Sequence, residues 1–263
     1  MNETLKALIL GVIQGLAEFL PVSSSGHIEL GKVALGLDVG LDFSVLVHIA
    51  TALSTLLVFR KDIASLAVGI FSNQQGESLT QIGKLVFSAV PVGLVGVFFK
   101  EKLEVMFEGN LLLVGSALLI TALMLFLTTR VPRSDGEVTW LKAFVMGLAQ
   151  MLAIVPGISR SGATISTALL LKIDPVKAAR FSFLMVLIPI LGAAGLDVLE
   201  LVRGEAPWSL SPGVATAGFL SAFGVGVLAC SAMIRIVRQG KLYWFSLYCL
   251  VIGLIAIGLG LVN

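Results

Sequence analysis

The sequence predicts an all-α integral membrane protein built as an inverted-topology repeat, with about six full transmembrane helices and two re-entrant helix–loop–helix hairpins. Three observations predict it. The 263-residue chain is 57% hydrophobic and 13% charged, with a mean hydropathy of +1.02. A soluble domain carries about a quarter charged residues and must cover its exterior with polar groups. Apolar runs of spanning length recur along the chain. Two shorter, broken apolar regions repeat each other at a constant offset of 136 residues.

The first element is the broken one: residues 5–20, a Pro/Ser/Gly turn, then 28–37. Its opening run carries Gln14 and Glu18 and is followed by no small-residue cleavage site, so it reads as part of the mature protein rather than a signal peptide. Spans follow at 43–59, 83–99 and 111–129, the first two slightly short. The second broken element occupies 141–155 and 163–171, and spans at 181–202, 213–234 and 243–262 complete the chain. Pro91 and Pro189 should kink their helices, which packed membrane helices tolerate. No polar stretch is long enough for a soluble domain, so residues 1–263 form a single membrane domain. Cys230 and Cys249 lie in apolar runs and read as buried thiols, not as a disulfide or metal site. A net charge of +2 is too small for a nucleic-acid binder, and no nucleic-acid partner is expected.

The repeat is explicit. Residues 5–27 read LKALILGVIQGLAEFLPVSSSGH and residues 141–163 read LKAFVMGLAQMLAIVPGISRSGA, with ten of 23 positions identical and no gap. Shared apolar composition does not reproduce Lys, Gln and Ser-x-Ser-Gly in register, so the chain is a duplication, repeat one at 1–136 and repeat two at 137–263. Each repeat holds one hairpin and three spans. Three is odd, so the second repeat sits upside down, as in secondary transporters whose broken helices meet near the midplane. Eleven Lys and Arg residues, from Arg60 and Lys61 to Arg238 and Lys241, fall on one side; Lys6, Lys32, Lys100, Lys102 and Arg203 fall on the other. The richer side is cytoplasmic by the positive-inside rule, with both termini and the first hairpin facing outward.

Polar residues at membrane depth are expensive and mark function. The hairpin tips concentrate them: Gln14, Glu18, Ser23, Ser24, Ser25 and His27 in the first; Gln150, Ser159, Arg160, Ser161 and Thr164 in the second. Inverted symmetry should bring both tips to one place. Gln14 and Glu18, four apart, share a helix face and suit a hard divalent cation such as Mg²⁺ or Ca²⁺, or a general base. Ser23-Ser24-Ser25-Gly26 and Ser159-Arg160-Ser161-Gly162 each precede a short helix, where serine caps well and free N–H groups attract an anion. Two such N-termini with Arg160, which grips phosphate bidentately, predict a phosphate site. His27 is within reach of the serines as a base, acid or nucleophile. His48 sits in a full span beside no comparable cluster and reads as structural, or at most supporting. Asp197 and Glu200 read as interfacial. Serine, histidine, carboxylate, arginine and a cation at a half-buried anion site describe phosphoryl transfer, and an apolar setting implies a lipid substrate.

These residues carry a resemblance. QGLAEFLPVSSSGH and PGISRSGAT are similar to the two boxes of the bacitracin-resistance-type undecaprenyl-diphosphate phosphatases, and the likeness extends over essentially the whole chain. The resemblance implies hydrolysis of undecaprenyl diphosphate to undecaprenyl phosphate and inorganic phosphate, recycling the lipid carrier for the cell wall and conferring bacitracin resistance. It also implies a divalent-cation requirement and a multi-pass protein of the bacterial cytoplasmic membrane, its site open to the outer face. On this reading Glu18 is the essential motif carboxylate, Ser24 and His27 are the reactive residues of the first box, and Arg160 is the phosphate-binding arginine. Ser23, Ser25, Gly26, Ser159, Ser161, Gly162 and Thr164 line the phosphate pocket. Gln14 stands where some members have Glu, which removes one formal charge from the metal site and weighs against a base there. Ser24, His27 and water all remain open as the nucleophile. A polyprenyl-phosphate transporter using the same phosphate site is the alternative from another class, and a phosphate channel is weaker because no polar stripe follows a full span. No feature specifies oligomeric state, a homodimer included.

Overall fold

Apolar runs of this length leave each backbone no solvent to bond, so they satisfy themselves as helices. The protein, described here from a computed structural model, is all-helical. The structure describes residues 2–36, 40–73, 75–107, 110–204 and 209–262. Residue 37 of the first hairpin and the side chains of Lys100, Lys102 and Asp197 lie outside the described residues.

The helices in order are α1 (Glu3–Ala17), α2 (Ser24–Leu35), α3 (Leu41–Val58), α4 (Arg60–Gly69), α5 (Gln75–Phe107), α6 (Leu111–Thr128), α7 (Trp140–Leu152), α8 (Arg160–Leu170), α9 (Pro175–Arg203), α10 (Pro212–Gln239) and α11 (Tyr243–Val262). Among the described residues five are long and apolar enough to cross a membrane. A sixth span is completed only if α3 and α4, bent by 67° at Phe59, count as one. Sequence patterning missed α4: its start is charged and it is too short for a span. Pro91 and Pro189 sit inside α5 and α9, which run well beyond the 83–99 and 181–202 windows.

Both broken regions form helix–turn–helix hairpins, α1–α2 and α7–α8. At about 1.5 Å per residue, α1 with 15 residues reaches roughly 22 Å and α8 with 11 about 16 Å. Neither crosses a hydrocarbon core of about 30 Å.

Helix α1 packs along α10, and α7 along α5; α3 lies on α10, and α9 on α5; α6 pairs with α11, and α3 with α9. Small residues permit the closest approaches, as in membrane interfaces generally. A Cβ on Gly11 would stand 2.5 Å from the Gly218 carbonyl oxygen of α10, and one on Gly147 would stand 2.3 Å from the Ser88 carbonyl oxygen of α5. Beneath the hairpin turns, Phe183 meets Phe19 at 5.8 Å and Phe59 at 5.9 Å between ring centroids. The outward faces are apolar: Leu220, Leu228 and Leu254 are 60, 71 and 55% exposed. A soluble protein would have to hide them; a multi-pass membrane protein presents them to lipid.

Polar ties gather at the two ends of the bundle. At one end Lys6 Nζ donates to the Gly36 carbonyl at 3.1 Å, and buried Asp42 accepts from the Ser209 backbone N–H and hydroxyl at 2.8 and 2.9 Å. At the other, Arg180 meets Asp62 at 3.1 Å, Lys84 donates to the Val138 carbonyl at 2.7 Å, and Arg133 to the Gln239 carbonyl at 3.2 Å.

Candidate active site at the two hairpin turns

Helix α1 ends at Ala17, and Glu18 is its C-cap, its N–H bonded to the Gln14 carbonyl at 3.0 Å. The chain then turns through Pro21 to Ser23, whose φ of +71° is uncommon for a residue with a side chain. Ser23 is buried, and its Oγ accepts the Gly26 N–H at 3.3 Å and the Gly157 N–H of the other hairpin at 3.1 Å. In return Ser161 Oγ donates to the Leu20 carbonyl at 3.2 Å. The two turns are thus bonded directly to each other, as the sequence predicted.

They are also built alike. Ser23 accepts from Gly26 N–H and pairs with Ser25 Oγ at 3.3 Å; Ser159 accepts from Gly162 N–H at 3.0 Å and pairs with Ser161 Oγ at 3.2 Å. Each serine occupies the equivalent position at the offset of 136, and each caps the helix that follows. Of the three serines in the first box, Ser23 does the capping, which leaves Ser24 free to bond Glu18. The first N–H groups of α2 and α8, at Ser24–Ser25 and Arg160–Ser161, have no acceptor four residues back in the helix. Free N–H groups at a helix start are the kind of donor an anion would take.

The half-buried groups are where the two turns differ. Ser24 Oγ donates to Glu18 Oε2 at 2.6 Å, and Gln14 Nε2 donates to the same oxygen at 3.2 Å. Glu18 Oε1 has no partner among the described residues, and Gln14 Oε1 is fully buried and unpartnered. Since the Gln14 amide must turn its nitrogen to the carboxylate, its oxygen points away as an orphan acceptor. These oxygens are of the hard kind that a divalent cation would take; among the described residues no three His, Cys, Asp or Glu gather as a cage on their own. Arg160, at the position equivalent to Ser24, has no hydrogen-bond or ion-pair partner among the described residues, and its charge acts on the Glu18 carboxylate through space.

The His27 Nδ1–H donates to the Ser23 carbonyl at 2.9 Å, which leaves Nε2 as the lone pair. Nε2 accepts the Tyr248 hydroxyl at 2.7 Å, with the two rings stacked at 5.5 Å. Both imidazole nitrogens are therefore engaged, and the acceptor for the Ser24 hydroxyl is the Glu18 carboxylate, not the histidine. Tyr248 was not foreseen: it lies in an apolar span with no local signal. His48 Nδ1–H donates to the Ser44 carbonyl at 2.8 Å, one turn back in its own helix.

The remaining predicted phosphate ligands sit behind this front. Ser159, Ser161 and Thr164 are buried, and Thr164 Oγ1 donates to the Arg160 carbonyl at 2.8 Å and pairs with Ser182. Their hydroxyls shape the second turn. Gly157 matters for a different reason than its neighbours: φ is +92°, and a Cβ there would meet the Val114 carbonyl oxygen at 2.4 Å. Thr121 of α6 clamps the same turn, donating to the Gly157 carbonyl at 3.1 Å and accepting the Ser159 N–H at 3.0 Å. The Pro-Gly step was visible in the sequence; Thr121, in a plain apolar span, was not. Cys230 and Cys249 are free and buried, as expected.

Comparison with known proteins agrees over nearly the full length. The family model described as bacitracin resistance protein BacA matches residues 7–255. An undecaprenyl-diphosphatase of Christiangramia forsetii is 48% identical over 258 residues, covering 95% of this chain and 96% of the relative. Undecaprenyl-diphosphatases of Parabacteroides distasonis and Bacteroides fragilis are 46 and 44% identical, covering 96 and 97% of this chain and 96 and 97% of their own. On this evidence the chain belongs to the bacitracin resistance protein BacA family.

Proposed function

We infer that this chain hydrolyses undecaprenyl diphosphate to undecaprenyl phosphate and inorganic phosphate, returning the carrier lipid to cell-wall synthesis. The names of its relatives support the reading. The observation that carries it is the 2.6 Å bond from the Ser24 hydroxyl to the Glu18 carboxylate, with Arg160, unpaired among the described residues, at the equivalent place on the other turn. A transporter needs the arginine and the helix ends; it has no use for a hydroxyl held against a base.

In the proposed mechanism Arg160 and the first N–H groups of α2 and α8 bind the terminal phosphate. Ser24 Oγ attacks its phosphorus, forming an O–P bond while the bridging P–O bond breaks and undecaprenyl phosphate leaves. Glu18 takes the hydroxyl proton and gives it up to the departing undecaprenyl phosphate; it then takes a proton from the attacking water and returns it to Ser24 Oγ as the Oγ–P bond breaks, releasing inorganic phosphate. Gln14 Oε1 and Glu18 would hold a divalent cation, Mg²⁺ or Ca²⁺, which when bound neutralises charge on the transferring group. His27, fixed by Ser23 and Tyr248, positions the start of α2.

The same reading makes 1–136 and 137–263 inverted repeats. The exchange of partners in the packing (α1 on α10 and α7 on α5, α3 on α10 and α9 on α5) supports it, as do the matched Ser23 and Ser159 caps. It places the chain in the bacterial cytoplasmic membrane, with the arginine-rich end inside and the hairpin site open to the outer face.

The test is phosphate release from a C55 or C15 prenyl diphosphate by detergent-purified protein, with and without EDTA. Release that requires a divalent cation and is lost in Arg160→Ala and Ser24→Ala is the expected result. No release by the wild type, with prenyl-phosphate binding that still needs Arg160, would turn the reading to transport. Retention of configuration at the transferred phosphorus accompanies the covalent Ser24 route, and inversion would eliminate it.

A further inference from the structure

A second basic feature lies far along the chain from the hairpin turns. Where α3 ends, α9 begins and α10 ends, a cavity of about 340 Å³ opens between the three helices. Arg180, Arg235 and Arg238 line it together with Ser231, against an apolar wall that includes Val58 and Ile234. Arg180 is oriented by Asp62 at 3.1 Å, whereas Arg235 and Arg238 have no hydrogen-bond or ion-pair partner among the described residues. None of these side chains belongs to either hairpin.

The arrangement along α10 is directional. Leu228, Ser231, Arg235 and Arg238 recur at helical spacing and share one face. Leu228 is 71% exposed on the apolar exterior, and the arginines follow two and three turns later at the polar end. Headgroup donors, a hydroxyl and an acyl-chain surface thus succeed one another in the order a membrane lipid presents them. Guanidinium groups spread over a flat helix end would satisfy the positive-inside bias alone. Three of them converging on a cleft between helices, two with open donor forks, match a phosphate oxyanion.

We propose that this cavity binds the phosphodiester headgroup of an anionic membrane lipid. The site is separate from the one that hydrolyses the prenyl diphosphate and does not depend on that reading. Delipidated protein in detergent is titrated with phosphatidylglycerol, phosphatidylcholine or inorganic phosphate, and bound species are counted by native mass spectrometry. Phosphatidylglycerol binds more tightly than phosphatidylcholine. The pair Arg235→Gln/Arg238→Gln weakens it about fivefold per arginine, roughly 30-fold together. Lys61→Gln, at the same end but outside the cavity, changes it by no more than about twofold, and Arg160→Gln leaves it unchanged.

Equal affinity for the two lipids would overturn the proposal, as would an equal loss in Lys61→Gln, which would reduce the effect to the diffuse field of that end. Loss in Arg160→Gln would move the lipid into the hairpin site. Saturation by inorganic phosphate with no lipid preference would make the cavity a soluble-anion site and overturn the lipid assignment. If the glutamine pair does not fold, Arg235→Lys/Arg238→Lys carries the test. It keeps the charge but loses the planar fork, and undiminished phosphatidylglycerol binding would refute a bidentate headgroup contact.

Discussion

Replacing Gly157 with alanine tests whether the two turns work as one bonded unit. The added Cβ would stand 2.4 Å from the Val114 carbonyl oxygen and 2.7 Å from Ala117 Cβ, against ordinary contact at 3.4 Å or more, so α6 and the turn must part by about 1 Å. Holding alanine at φ +92° adds backbone strain of about 1–3 kcal/mol, and overpacking against α6 costs about 1–3 kcal/mol more. The sum, roughly 2–6 kcal/mol, corresponds to a melting-temperature drop on the order of 4–24 °C for a chain of this size. The same displacement pulls the Gly157 N–H from Ser23 Oγ and its carbonyl from Thr121. A misplacement of about 1 Å near reacting groups costs on the order of 100-fold in rate. Gly26→Ala is the comparison: its nearest neighbour outside the turn is the flexible Val114 Cγ1 at 3.2 Å, and it has no positive φ. Melting in detergent and phosphate release per folded molecule are measured for both. A Gly157→Ala protein that melts and turns over like the wild type, or a Gly26→Ala protein that suffers more, refutes the bonded-turn argument.

Four further outcomes follow from the site. Glu18→Gln keeps an acceptor for Ser24 but cannot take its proton, so kcat should fall by about 10²–10⁴ with near-native melting; unchanged kcat would remove Glu18 as the base. Arg160→Lys keeps the charge without the fork and should cost at least about tenfold in kcat/KM for the diphosphate, while equal kinetics would mean a point charge suffices. Gln150→Leu removes a fully buried amide with both atoms unpartnered and should stabilise by about 1–3 kcal/mol in thermal melts; Gln14→Leu should instead raise the divalent-cation concentration needed for half-maximal release, and identical behaviour of the two would contradict their division of roles. Tyr248→Phe deletes the donor to His27 Nε2 but keeps the ring stack, so kcat/KM should drop about 2–10-fold, and the loss should vanish in a His27→Ala background if the tyrosine acts through the imidazole.

The helices and the meeting of the hairpins were legible because both rest on local chemistry. Spanning runs must be helical, and the duplicated Gln, Ser-x-Ser-Gly register by itself places equivalent turns at Ser23 and Ser159. What escaped the sequence is contact between elements distant along the chain. Tyr248 and Thr121 are polar groups within long apolar spans that carry no motif, and only packing of α11 and α6 against the turns gives them these partners. The division between Ser23 and Ser24 escaped for a subtler reason. Three consecutive serines are interchangeable as caps on propensity alone, and the choice is made by the left-handed backbone at Ser23, which spends that hydroxyl on two N–H groups and turns Ser24 toward Glu18. Helix α4 was lost because a charged, ten-residue segment carries neither a span nor a motif.

The duplicated turn explains how an anion-binding device becomes a reactive one with few changes. Each hairpin alone supplies a serine cap and the free N–H groups of a short helix, which bind a phosphate but do nothing to it. Facing two of them doubles that donor field around one anion, and a symmetric pair would hold the ligand without distinguishing its two sides. The symmetry is broken at three equivalent pairs: Glu18 against Ile154, Ser24 against Arg160, and His27 against Ala163. One turn thereby gains a base and a hydroxyl, and the other gains a positive charge with an apolar neighbour. In the proposed mechanism a phosphate seated between them would meet the nucleophile from one turn and charge neutralisation of its non-bridging oxygens from the other. The buried glutamines follow the same logic. Gln14 has the Glu18 carboxylate to bond, whereas Gln150, four residues before Ile154, has neither polar atom partnered among the described residues.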